Sequence, residues 1–211
     1  MREDGITTIE EEILHKRMYD EADAFVGGIG VVKNTIGDKI SGVCQRSIQL
    51  LTNLCTQSNP SMDFGQKKEV EKNTDAIVST LVEKLGDNLA KVRLNAENAM
   101  VAMCNHDAFG AAPPINQLLR TANPSGANAS KAKKTMNSNK LIIGKYQTLA
   151  RILGEVPNIP NDLLQKCLPF SNKGLQHALQ DVRQPAQRCM VELYKYFGGQ
   201  VRDHFGGLRQ A

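Results

Sequence analysis

The sequence has no tryptophan, and aromatic residues make up only 5% of its 211 positions. A core built on large rings is excluded, so Leu, Ile, Val, Ala and Met must fill the contacts between elements. No apolar run approaches the roughly 18 residues that cross a bilayer, and the acidic N-terminus has none of the marks of a secretory signal. A cytoplasmic or nuclear protein is expected. The five cysteines, Cys44, Cys55, Cys104, Cys167 and Cys189, form no CxxC pair; they read as free core thiols rather than zinc ligands. The four histidines, His15, His106, His177 and His204, stand in unrelated places. No Ser–His–acid order, phosphate loop or metal-ligand spacing assembles around them, so no catalysis, cofactor or metal is expected.

Acidic residues are missing altogether between Ala108 and Gly154, where Arg120, Lys131, Lys133, Lys134, Lys140, Lys145 and Arg151 are the only charges. Residues 1–23 hold eight acids against three bases, so the net charge of +4 is unevenly spread. A long stretch of one sign implies either an acidic partner or a solvated loop. Nucleic acid is disfavoured as that partner. Between Arg120 and Arg151 the only aromatic is Tyr146, expected to be buried, and stacking then has no platform.

What is present is a repeat. Ile36-Gly37-Asp38, Leu85-Gly86-Asp87 and Leu175-Gln176-His177 each precede a valine seven residues after the leading Ile or Leu: Val43, Val92 and Val182. Small or apolar residues follow four and eight later: Ser47 and Leu51, Ala96 and Met100, Ala186 and Met190. The copies start at 36, 85 and 175, and the longer step is two units of about 45, the period of HEAT-type helical pairs. The spacing predicts an all-α solenoid forming a single domain over residues 1–211, with a degenerate third unit. In each copy Gly86 or its equivalent is expected to take a positive φ as one helix ends. Asp87 or its equivalent caps the next helix.

Apolar periodicity predicts helices over about 7–22 (an N-terminal cap), 23–35, 39–56, 70–85, 88–104, 115–121, 139–153, 161–176, 179–197 and 200–209. A polar connection occupies 57–68, and a flexible basic loop runs from about 121 to 138. Gly27-Gly28-Ile29-Gly30 lacks a preceding strand, and Lys33 replaces the third glycine of GxGxxG; these glycines read as close helix packing rather than a dinucleotide site. Pro169 and Gly174 should kink or shorten their helix, and Pro185 should delay regular hydrogen bonding in the next. His106 and Asp107, with no further His or acidic cluster, read as structure.

Stacked hairpins bring their turns out along one edge. Asp38, Asp87, Arg93 and Arg183 are expected to form a capping and bridging ladder between successive units. Binding then falls to the outward residues Lys39, Asn88, Lys91, Asn139, Lys140 and Gln180.

Leu85-Gly86-Asp87-x-x-x-Lys91-Val92-Arg93 resembles the intra-repeat turn of TOG domains, HEAT arrays that bind αβ-tubulin. Lys33-Asn34-Thr35-Ile36-Gly37-Asp38-Lys39, Ser47-Ile48-Gln49-Leu50-Leu51 and Leu149-Ala150-Arg151-Ile152-Leu153 are similar to segments of that family. So are Gly174-Leu175-Gln176-His177, Val182-Arg183 and Glu192-Leu193-Tyr194. The resemblance spans about Ala22 to Leu208. It implies a module of a larger protein that engages αβ-tubulin or the microtubule through its intra-repeat turns and regulates plus ends at the ciliary tip. It further implies a place in the cytoplasm and cytoskeleton, at the tip of the cilium or flagellum and at the centriole or basal body. Other ciliary-tip or centriolar proteins would bind outside this chain, and neither nucleic acid nor membrane is implied. Many TOG domains carry Trp in the first turn, where this chain has Thr35 to Lys39, and no SxIP motif is present. Without the resemblance, the repeat supports a HEAT-type scaffold for a non-tubulin partner.

Overall fold

The computed structural model describes residues 2–15, 21–120 and 138–205, and every regular element among them is a helix. The order is α1 (Arg2–His15), α2 (Ala22–Thr35), α3 (Ser41–Gln57), α4 (Phe64–Lys84) and α5 (Ala90–Asn105). After these come α6 (Ala112–Leu119), α7 (Ser138–Glu155), α8 (Asn161–Leu175), α9 (Gln180–Phe197) and a 3₁₀ helix (Gly198–Phe205). No helix among the described residues is long and apolar enough to cross a membrane.

Four hairpins, α2/α3, α4/α5, α6/α7 and α8/α9, stack in two layers. The first helices α2, α4, α6 and α8 pack in that order, and the second helices α3, α5, α7 and α9 pack alongside. This is the HEAT-type solenoid that the spacing predicts, with α6/α7 as the degenerate unit. The N-terminal helix lies mainly on α3, extending the second layer by one helix, and the 3₁₀ helix covers α8 and α9. Buried side chains from Ile6 to Val201 form one connected cluster of Ile, Leu, Val, Ala, Met and Cys with few rings. All five cysteines are free and buried. Burial pushes the thiols of Cys104 and Cys167 up to about 12, so neither ionises near neutrality.

Several local expectations are corrected. Helix α4 begins at Phe64, six residues before the apolar periodicity. Asp63 Oδ1 accepts from the Gln66 N–H at 2.8 Å, and Gln66 Oε1 accepts from the Asp63 N–H at 2.9 Å, a capping box that nucleates a polar first turn. Helix α8 runs unbroken through Pro169, and α9 starts on schedule at Gln180 despite Pro185. In each case the carbonyl deprived of its donor belongs to an exposed residue, Gln165 or Asp181, on the solvent side of the helix. Gly86 does not take a positive φ; among the described glycines only Gly110 and Gly198 do. Nor do Gly27 and Gly30 serve close packing, because a Cβ at either would meet nothing within 4 Å. The N-terminal helix begins at Arg2 rather than near residue 7, and the C-terminal element is 3₁₀ rather than α. The flexible basic loop, with Lys131, Lys133 and Lys134, lies outside the described residues.

Candidate functional site

The hairpin turns 36–40, 85–89 and 176–179 share one construction. In the first two, Asp38 Oδ1 accepts from the Ile40 N–H at 2.8 Å, and Asp87 Oδ1 accepts from the Leu89 N–H at 2.9 Å. His177 does the same work in the fourth unit, its Nδ1 accepting from the Leu179 N–H at 3.2 Å. Each carboxylate or imidazole thus closes an Asx-like turn two residues long. The residue that receives it, not the Asp itself, is the N-cap of the following helix.

The arginines complete the turn from inside. Arg93 Nη1 donates to the carbonyls of Asp87 (2.7 Å) and Asn88 (3.1 Å), and Arg183 Nη1 to those of His177 (2.9 Å) and Ala178 (2.7 Å). In place of the expected ladder between successive units, Arg93 and Arg183 brace their own turns, the second and the fourth. Cys44 occupies the corresponding place in the first unit; there Thr35 Oγ1 and Ser47 Oγ, 2.9 Å apart, tie the end of α2 to α3. In the third unit Lys145 Nζ donates to the Arg120 carbonyl at the end of α6 (2.8 Å). Burial pushes that ammonium below the usual lysine range.

With their own polar groups bonded from within, these turns show partners an apolar residue, with a lysine nearby in the first two and Gln180 in the fourth. Ile40, Leu89 and Leu179 occupy the same turn position and are 55%, 53% and 40% exposed. Composition gave no reason to single them out, yet the signal was in the sequence: an Ile or Leu four residues after each leading Ile or Leu. Lys39, Lys91, Asn139, Lys140 and Gln180 are exposed, as is Asn88. Lys140 Nζ donates to Asn88 Oδ1 at 3.2 Å, which joins the second turn to the start of α7. Lys39, Lys91, Asn139 and Gln180 have no side-chain partner among the described residues.

The opposite edge, where one hairpin passes to the next, is closed by side chains. His106 is 4% exposed; its Nδ1 accepts from the Ala108 N–H (3.1 Å), so its protonated Nε2 donates to the Ser58 carbonyl (2.9 Å). The ring stacks on Phe25 with centroids 4.9 Å apart, and Phe109 abuts both. Asn59 donates to Asp107 (3.0 Å), and Gln66 to Asp23 (2.7 Å). His106 and Asp107 are thus structural. No group of three or more His, Cys, Asp or Glu among the described residues could hold a metal ion.

Comparison with known proteins places this geometry in a family. Human centrosomal protein of 104 kDa is 22% identical over 208 residues, covering 96% of this chain, which spans only about a fifth (21%) of that protein's length. The solved TOG domain of human Cep104 superposes with a TM-score of 0.66 at 18% identity, covering 99% of this chain and 78% of that one. A structure addressing tubulin recruitment and assembly by microtubule polymerases with TOG domain arrays gives a TM-score of 0.68 at 16% identity, covering 100% of this chain and 40% of that one. A sequence family described as centrosomal protein CEP104, TOG domain, matches residues 2–189, and the chain belongs to that TOG domain family.

Proposed function

We propose that residues 1–211 form one TOG array that binds αβ-tubulin through its hairpin-turn edge. The observation that carries this reading is the threefold recurrence of an exposed apolar residue at one turn position. Ile40 and Leu89 are flanked by Lys39 and Lys91, and Leu179 by Gln180. Apolar residues that desolvate on contact supply affinity, while lysines around them steer an acidic partner and fix its orientation. Tubulin is such a partner, and the acid-free stretch from Ala108 to Gly154 adds charge of the matching sign near the third turn. Ile40 gives the first turn an apolar contact where many TOG domains place Trp.

Within this reading Lys39, Asn88, Lys91, Asn139, Lys140 and Gln180 make polar contacts with tubulin, and Asp38, Asp87, Arg93 and Arg183 hold the turns that present them. The centrosomal relative supports a place at the centriole and cilium, where the larger protein would act on microtubule plus ends at the ciliary tip. A micromolar complex requires about 8 kcal/mol, so several turns must contribute together. Gel filtration with purified tubulin at low salt tests the reading. The wild-type chain co-elutes, and Lys91→Glu with Lys140→Glu weakens the complex while circular dichroism stays native. Unchanged co-elution, or capture of a peptide partner with no tubulin, would replace tubulin by another scaffold ligand.

A further inference from the structure

The third hairpin poses a problem that the others do not. In units one, two and four a turn of four or five residues fixes where the second helix starts, whereas seventeen residues separate Arg120 from Ser138. No short turn of that kind fixes Asn139 and Lys140 on the edge. Something else must hold the first two turns of α7 in register.

We infer that Gly144 is a positioning residue for the binding edge, seating the start of α7 against the second turn so that Lys140 meets Asn88. A Cβ at Gly144 would lie 2.7 Å from the Leu85 carbonyl oxygen, nearer than a Cβ comes to any neighbouring heavy atom, and 3.0 Å from Leu85 Cβ. The contact is reciprocal, since a Cβ at Gly86 would lie 3.0 Å from Leu141 Cβ. Gly144 and Lys140 are four residues apart, one above the other on the same helical face. The contact at Leu85 therefore sets the height and lateral offset at which Lys140 Nζ reaches Asn88 Oδ1. Lys145, the next residue, anchors the other side of the same helical turn to the end of α6 through the Arg120 carbonyl. By the register of buried positions it stands where the other units place Ser47, Ala96 and Ala186. The third unit thus uses a glycine and a buried lysine, in successive positions, to place the start of α7.

This inference rests on the tubulin reading for its consequence, but its geometry can be tested without tubulin. In wild type, Lys140→Ala should shift the side-chain amide resonances of Asn88 in a ¹⁵N–¹H spectrum. In Gly144→Ala, where the added methyl pushes α7 off the Leu85 carbonyl, the same substitution should leave them unmoved. Tubulin affinity should fall at least about fivefold in Gly144→Ala. Gly86→Ala, whose new methyl comes no nearer than 3.0 Å to Leu141 Cβ and 3.4 Å to Leu141 Cα, should have a smaller effect, and Gly27→Ala, which faces open space, none. If Gly144→Ala does not fold, Gly86→Ala carries the test. A retained Asn88 response in a folded Gly144→Ala variant, or in Gly86→Ala where Gly144→Ala does not fold, overturns the inference, whatever happens to binding. If the Asn88 response is lost while neither glycine variant nor Lys91→Glu with Lys140→Glu changes tubulin affinity, the positioning stands and the tubulin reading falls.

Discussion

Where one hairpin passes to the next, the chain is fastened by side chains that reach between units; at the hairpin turns it is fastened by the turn's own residues. His106 spans from the end of α5 to the Ser58 carbonyl at the end of α3 and stacks on Phe25 of α2, and Asn59 reaches Asp107 across the same gap. The turns instead satisfy themselves through Asp38, Asp87 or His177 and through Arg93 or Arg183, all within six residues of their targets. An edge closed by cohesion between units has its rings and polar atoms already engaged. At an edge closed from inside the turns, Leu89 and Lys91 can be exposed without loosening the fold. The division explains why a binding surface belongs at the turns even though the conspicuous aromatic cluster lies at the other end.

The largest effect should come from breaking the cohesive edge. Phe25 is 1% exposed and stacked on His106, so Phe25→Ala should cost about 3–5 kcal/mol in urea unfolding. Leu89→Ser at the turns should stay within about 0.5 kcal/mol, as surface changes do, yet should weaken tubulin binding. Equal losses of stability from the two would erase the distinction between the edges.

His106→Ala should come next, at about 2 kcal/mol, because it removes a buried ring's bonds to the Ser58 carbonyl and the Ala108 N–H. It also carries a pH signature. Burial holds the folded imidazole below its ordinary value of 6.5, so the unfolded chain takes up the proton first as pH falls. That share of stability is fully present above pH 6.5 and is lost as pH drops through 6.5 toward the folded value. Thermal unfolding between pH 7.5 and 5.5 should therefore decline more steeply for wild type than for His106→Gln. Parallel slopes would remove His106 as the source.

The hairpin turns are weaker and local. Arg183→Met should cost about 1–2 kcal/mol by releasing two partly exposed carbonyls, with hydrogen exchange rising at the fourth turn alone. Exchange rising in the second turn as well would restore a ladder between units.

Much of the fold was legible because the apolar positions repeat with the helix period and the repeat itself recurs. Val43, Val92 and Val182 are all buried, and the doubled step from 85 to 175 does contain a hairpin. Conformation within the turns was not legible. Asp38 and Asp87 look the same in sequence whether they cap their own turn or bridge to a neighbour, and only the backbone N–H that each carboxylate meets, that of Ile40 or Leu89, decides it. Glycines mislead for a related reason: sequence shows where a side chain is missing but not what would have met it. Gly144, inside an ordinary-looking helix, is a tight contact, while the conspicuous Gly27 and Gly30 face open space. Alanine at those two should each add about 1 kcal/mol of stability, the ordinary helix preference, with no change at either edge.

The smallest effect is the sharpest test of how the turns are built. His177 stands where the first two units have Asp, and its ring nitrogen receives the same backbone N–H two residues ahead. If the turn needs only an acceptor there, His177→Asp should change stability by less than about 0.5 kcal/mol. Arg183 sits close by through the His177 carbonyl, so a carboxylate at 177 would bring opposite charges together rather than like ones. His177→Ala, with no acceptor, should lose about 1 kcal/mol instead, as an N-terminal cap does when its side chain is removed. Thermal unfolding of the pair separates the two accounts. A His177→Asp variant as unstable as His177→Ala would mean that the imidazole is held by its packing rather than by the turn, and that the fourth hairpin is not closed as the first two are.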